Sequence, residues 1–100
     1  MKLSQLAKVI RSKNAGPLTL SIDVLFDTES DFEAACAAEE LQAPALAVRL
    51  RRPQEDIRVI TDSRARAIKV VMPRAVVAGG RGDFDVYGSQ QHAAFLDIEL

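Results

Sequence analysis

From Leu18 to Phe26 the chain alternates, with Leu18, Leu20, Ile22, Val24 and Phe26 on one parity and Thr19, Ser21, Asp23 and Leu25 on the other. A period of two in a run rich in β-branched residues predicts a strand with one buried face. Before it, Leu3, Leu6, Ala7, Val9 and Ile10 recur at offsets of three and four, which predicts a helix over 3–10. That helix is expected to stop in Arg11-Ser-Lys-Asn-Ala-Gly-Pro17. Asn14 and Gly16 tolerate left-handed dihedrals, and Pro17 cannot continue a helix.

Beyond the strand, Asp27-Thr-Glu-Ser30 opens a second helix, with Ser30 and Glu33 spaced as a capping box. The alanine-rich segment 31–41 sets Phe32, Ala35 and Cys36 on one side. Pro44 suits the first turn of a short helix running through Leu50. A turn at 53–56 follows, then a strand over 57–61, a short polar link and an alternating run from Arg66 to Met72. Two strands this close predict an antiparallel hairpin. Alternation from Phe95 to Leu100 predicts a last strand. The element order suits a right-handed parallel crossover around the central helices. The expectation is an α+β fold: a ferredoxin-like small sheet with helices on one face and a long Gly-rich loop before the last strand.

Length confines these elements to one domain over residues 1–100, since one core commonly serves about 100–150 residues. Thirteen Lys and Arg stand against fourteen Asp and Glu, a balance that argues against bulk nucleic-acid binding. The absence of tryptophan weakens base stacking further. One cysteine excludes an internal disulfide and a cysteine-rich zinc site. No apolar run approaches the roughly 18–20 residues of a membrane helix, and the N-terminus lacks a signal-peptide core, so a cytoplasmic protein is expected. Charge is segregated, however. Lys2, Lys8, Arg11 and Lys13 occupy a stretch without acids, and Asp27, Glu29, Asp31, Glu33, Glu39 and Glu40 one without bases. Such segments are either solvated faces or a bipolar surface that docks a partner chain or an anion.

Residues 74–94 show no periodicity, and structureless stretches longer than about 12–15 residues are commonly functional. Asp83, Asp85, Tyr87, Gln90, Gln91 and His92 make this stretch densely polar. His92, the only histidine, is the one side chain whose ordinary pKa is near neutrality. It is a candidate acid or base, with Asp83, Asp85 or Tyr87 to orient it. No triad spacing supports catalysis, and Asp83 with Asp85 lacks the further ligands of a calcium loop. Gly79-Gly-Arg-Gly82 lacks the Gly-Lys-Ser/Thr ending of a phosphate loop. No metal and no particular cofactor is indicated.

Three segments carry a resemblance. Arg11-Ser-Lys-Asn-Ala-Gly-Pro17, Ala67-Ile-Lys-Val-Val-Met-Pro-Arg74 and Asp83-Phe-Asp-Val-Tyr-Gly-Ser-Gln-Gln-His92 together resemble the family called domain of unknown function 4387, over essentially the whole chain. Such proteins look like companions of the AtuA-like proteins of acyclic terpene utilisation. The resemblance implies a small subunit or accessory domain with an AtuA-like partner, serving catabolism of a carboxylic acid or its CoA thioester. It also implies that Arg11, Ser12, Lys13, Asn14, Asp83, Asp85, Tyr87, Gln90, Gln91 and His92 belong to the shared site, with Arg74 ending the second matching segment. Arg11 and Lys13 are expected to meet Asp83 and Asp85, or to receive a carboxylate through arginine's bidentate fork. The alternative is an independent lyase or hydratase using His92 with Asp83 or Asp85. Small size favours the subunit reading, because enclosing a drug-sized ligand takes a pocket of about 300–1,000 Å³. Self-association stands beside both, symmetric oligomers being common.

Overall fold

A computed structural model describes residues 1–16, 18–73 and 95–100. Helix α1 (Leu3–Leu6) is a single turn that leads into strand β1 (Val9–Asn14). Strand β2 (Thr19–Leu25) precedes helix α2 (Glu29–Ala37), a 3₁₀ turn at Glu39–Leu41 and helix α3 (Ala43–Leu50). A further 3₁₀ turn at Gln54–Asp56 leads to strands β3 (Arg58–Asp62) and β4 (Ala67–Pro73). The four strands form one sheet in the order β1-β2-β4-β3, with every neighbouring pair antiparallel. Strands β2 and β3, which flank the helices in sequence, therefore run the same way with β4 between them.

The register explains which residues meet. Leu20, Ile22 and Val24 stand opposite Met72, Val70 and Ile68. All six are buried in one core, together with Leu3, Phe32, Ala35, Leu41, Leu46, Phe95 and Ile98. The strand members of that core share a parity, so the helices and both chain ends cover the same face of the sheet. Leu3 N–H donates to the Ile98 carbonyl at 2.8 Å, and Lys2 forms an antiparallel bridge with Glu99. These contacts tie the C-terminal residues to α1.

Four expectations need correction. The helix expected over 3–10 ends at Leu6, and 9–14 is an edge strand. Leu3, Leu6, Ala7 and Ile10 do pack on the core, so their spacing records burial rather than a continuous helix. Strand β2 is buried on both faces, because Ser21 and Asp23 are covered as well as Leu20, Ile22 and Val24. The cap of α2 is Thr28 rather than Ser30, its side chain accepting from the Asp31 N–H at 3.2 Å. The last strand is not formed: Phe95 and Ile98 are buried three apart across a turn, while Leu96 faces out. The hairpin of β3 and β4 forms as expected, closed by Asp62, whose Oδ1 accepts from the Arg64 and Ala65 N–H groups. The Gly-rich stretch lies outside the described residues.

Arg51 caps α3 in the left-handed conformation, with φ 55° and ψ 48°. An L side chain there is strained, and glycine is the ordinary occupant. Arg51→Gly is therefore expected to raise stability by about 0.5–1 kcal/mol, read as a higher urea midpoint at unchanged slope.

Candidate functional site

The second face of the sheet carries the chemistry. Across the strands Arg11 stands opposite Asp23, and Asp23 opposite Lys69. One step along, Lys13 stands opposite Ser21, Ser21 opposite Val71, and Val71 opposite Arg58. Asp23 sits in the middle of this face with only 4% of its side chain exposed. Its Oδ2 lies 3.9 Å from Arg11 Nε and 3.9 Å from Lys13 Nζ, while its Oδ1 accepts the Ser21 hydroxyl at 2.8 Å. An acid buried without partners would be costly, and these three groups offset that cost. The cations themselves stay open, Arg11 at 58% and Lys13 at 60% exposed. Each pair is at the outer limit of ion-pair contact and its cation is well solvated, so it adds about 0–1 kcal/mol.

Among the described strand residues of this face the bases Arg11, Lys13, Arg58 and Lys69 outnumber the acids Asp23 and Asp62 four to two. Val9 and Ile60 give it apolar, exposed margins. At the end occupied by Arg58, a shallow hollow of about 290 Å³ is lined by Thr19, Val71 and Pro73 with Glu55 and Asp56. The surplus positive charge is thus concentrated around Arg11, Lys13 and Lys69. Such a face can dock a carboxylate-bearing surface or hold an anion.

Of the residues singled out from sequence, the structure brings Arg11 and Lys13 together, because alternate residues of a strand share a face. Ser12 and Asn14 take the opposite parity, with Ser12 buried, and both hold interaction partners. The four therefore do not form one cluster. Asp83, Asp85, Tyr87, Gln90, Gln91, His92 and Arg74 lie outside the described residues, as does the expected pairing of Arg11 and Lys13 with Asp83 and Asp85. Asp23, Ser21 and Lys69 escaped sequence reasoning. The usable signal is Asp23 itself, an acid in the middle of a strong strand, where aspartate is disfavoured.

Cys36 is half-buried against the core. Burial first, and then the neighbouring Glu33 carboxylate, push its thiol above the ordinary range. Both effects favour the thiol over the thiolate, the form that acts as a nucleophile. Among the described residues no cluster of His, Cys, Asp and Glu could hold a metal ion. Nor is any described helix long and apolar enough to cross a membrane.

Fold and site together define a small α+β protein whose antiparallel sheet has one face in the core and carries Arg11, Lys13, Asp23 and Lys69 on the other. It belongs to the family described as Domain of unknown function (DUF4387), whose profile matches residues 3–99. No curated protein and no solved structure matches the chain.

Proposed function

We propose that this chain is a small subunit or accessory domain that docks onto a larger AtuA-like partner acting in catabolism of carboxylic acids or their CoA thioesters. The observation that carries this reading is the second face of the sheet, where the exposed Arg11 and Lys13 lie beside Asp23, the one buried acid among the described residues, and Lys69 stands across from it in register. An exposed, net cationic face with apolar margins is suited to a carboxylate-bearing surface of a partner. The shallow hollow beside it falls just under the about 300–1,000 Å³ that usually encloses a small molecule. In this reading most of the reaction chemistry resides in the partner, and Arg11 and Lys13 are docking groups. A cytoplasmic location accords with it.

The ferredoxin-like arrangement belongs to the same proposal. It is supported by β2 and β3 running the same way on either side of β4, with the helices between them in sequence. Strand β1, supplied from the N-terminal side, takes the place beside β2 that a last strand would fill.

Docking through exposed cations is salt-sensitive, because the Debye length falls from about 30 Å at 0.01 M to about 3 Å at 1 M salt. Co-purification of an AtuA-like chain with this protein is therefore expected at low salt, with a yield that declines as salt is raised. A salt-independent complex would point to an apolar interface elsewhere. Isolated chain that turns over a carboxylic acid without a partner would favour the His92 lyase or hydratase instead.

A further inference from the structure

We propose that the outer edge of β3 pairs with the same edge of a second copy of this chain, across a two-fold axis at Ile60. This goes beyond the docking of an AtuA-like partner and uses a different part of the sheet. It starts from the phase of the hydrogen-bond ladders. Phe26 N–H donates to the Arg66 carbonyl at 2.9 Å, one step beyond the Leu25–Ala67 pair of β2 and β4. In an antiparallel ladder hydrogen-bonded pairs alternate, so the backbone groups of Ile68 and Val70 are directed at β2 and those of Ala67, Lys69 and Val71 at β3. Their partners Asp62, Ile60 and Arg58 are bonded inward. The N–H and C=O groups of Val59 and Thr61 then face away from the sheet.

Among the described residues nothing receives them. No described element besides β4 makes substantial contact with β3, and Arg58, Ile60 and Thr61 are exposed. The opposite edge differs, since Ser12 and Asn14 on β1 do hold partners. An open edge with an exposed isoleucine is a template for strand addition. The strand Arg58-Val-Ile-Thr-Asp62 also specifies what it can add. When it pairs antiparallel with itself about Ile60, Val59 and Thr61 of one copy exchange backbone bonds with Thr61 and Val59 of the other. Ile60 then meets Ile60, and Arg58 of each copy stands opposite Asp62 of its mate. Opposite charges directly across a ladder favour pairing and like charges oppose it. Arg58 has no ion pair among the described residues, and Asp62 uses Oδ1 for its turn, which leaves Oδ2 for the guanidinium. A slip by one residue sends Ile60 to the wrong face and removes both charge pairs. Charge complementarity thus selects a second copy of this chain, in one register. The product is an eight-stranded sheet in which both Asp23-centred faces lie on the same side.

Pairing through one five-residue edge is small, so the dimer is weak and concentration-dependent, with a dissociation constant on the order of 100 µM. Sedimentation equilibrium of the full chain tests it beside two variants. Thr61→Pro removes one outward N–H at an edge position without touching the β3–β4 ladder, and Arg58→Asp places like charges across the axis. Wild type is expected to shift from monomer to dimer as concentration rises. Each variant should weaken dimerisation by about tenfold or more while retaining the wild-type far-UV spectrum. Wild type that stays monomeric up to about 1 mM overturns the proposal. So does a dimer that Arg58→Asp, or a folded Thr61→Pro, leaves intact.

Discussion

Replacing Phe95 with alanine is expected to cost about 3–5 kcal/mol, the usual loss for deleting a fully buried phenyl ring. Phe95 is completely buried and belongs to the same core as Leu3, Ile22 and Ile68. Near it Ile98 is also buried, and its carbonyl takes the Leu3 N–H. The C-terminal residues are therefore part of the core rather than an attachment to it. A domain of this size has only about 5–15 kcal/mol in total, and each kcal/mol moves its midpoint by about 4–8 °C. Phe95→Ala should then melt at least about 12 °C below the wild type. A loss below about 1 kcal/mol would mean that the segment docks loosely and α1 is held by other contacts.

The second large effect falls on binding, with stability nearly unchanged. Removing Arg11 and Lys13 together by alanine substitution is expected to weaken capture of the AtuA-like partner by about 10- to 100-fold, roughly one to three kcal/mol across two interfacial charges. Both side chains are more than half exposed, so the melting temperature should stay within about 8 °C, the shift worth about 1 kcal/mol. The Ser21 hydroxyl stays on Asp23 Oδ1 and keeps the buried acid hydrogen-bonded. Affinity measured by titration calorimetry beside a thermal scan separates the two roles. A collapse of the fold would make Arg11 and Lys13 structural partners of Asp23, and unchanged affinity would remove them from the interface.

Much of the sheet was legible because its strands obey the simplest rule. Leu20, Ile22 and Val24 alternate cleanly, and the β3–β4 hairpin is announced by two short runs around Asp62. The N-terminal segment misled for a physical reason. Leu3, Leu6, Ala7 and Ile10 are all inward, but the backbone passes from a helical turn to a strand at Ala7, where ψ is 145°. Strand β1 also buries Ser12 and turns Val9 outward, so hydrophobicity does not alternate along it. At the other end, Leu96, Ile98 and Leu100 read as one face, whereas burial selects Phe95 and Ile98 and leaves Asp97 and Glu99 to pair with Lys2 and the N-terminal amine. Candidate chemistry followed the same division. Arg11 and Lys13 were visible as cations in an acid-free stretch, but Asp23 looked like the solvent side of a half-buried strand. The order β1-β2-β4-β3 sets β2 between two neighbours, where the long side chains of Arg11 and Lys13 reach over Asp23, and no local pattern shows that order.

On the proposed function this chain works only when docked on a larger AtuA-like chain. A pull-down with the tagged protein from a lysate of its source cells at low salt, with mass spectrometry of the chains recovered in stoichiometric amount, tests this. An AtuA-like chain is expected with wild type and should be depleted with the Arg11→Ala/Lys13→Ala variant. Recovery of this protein alone, or only with copies of itself, would contradict it.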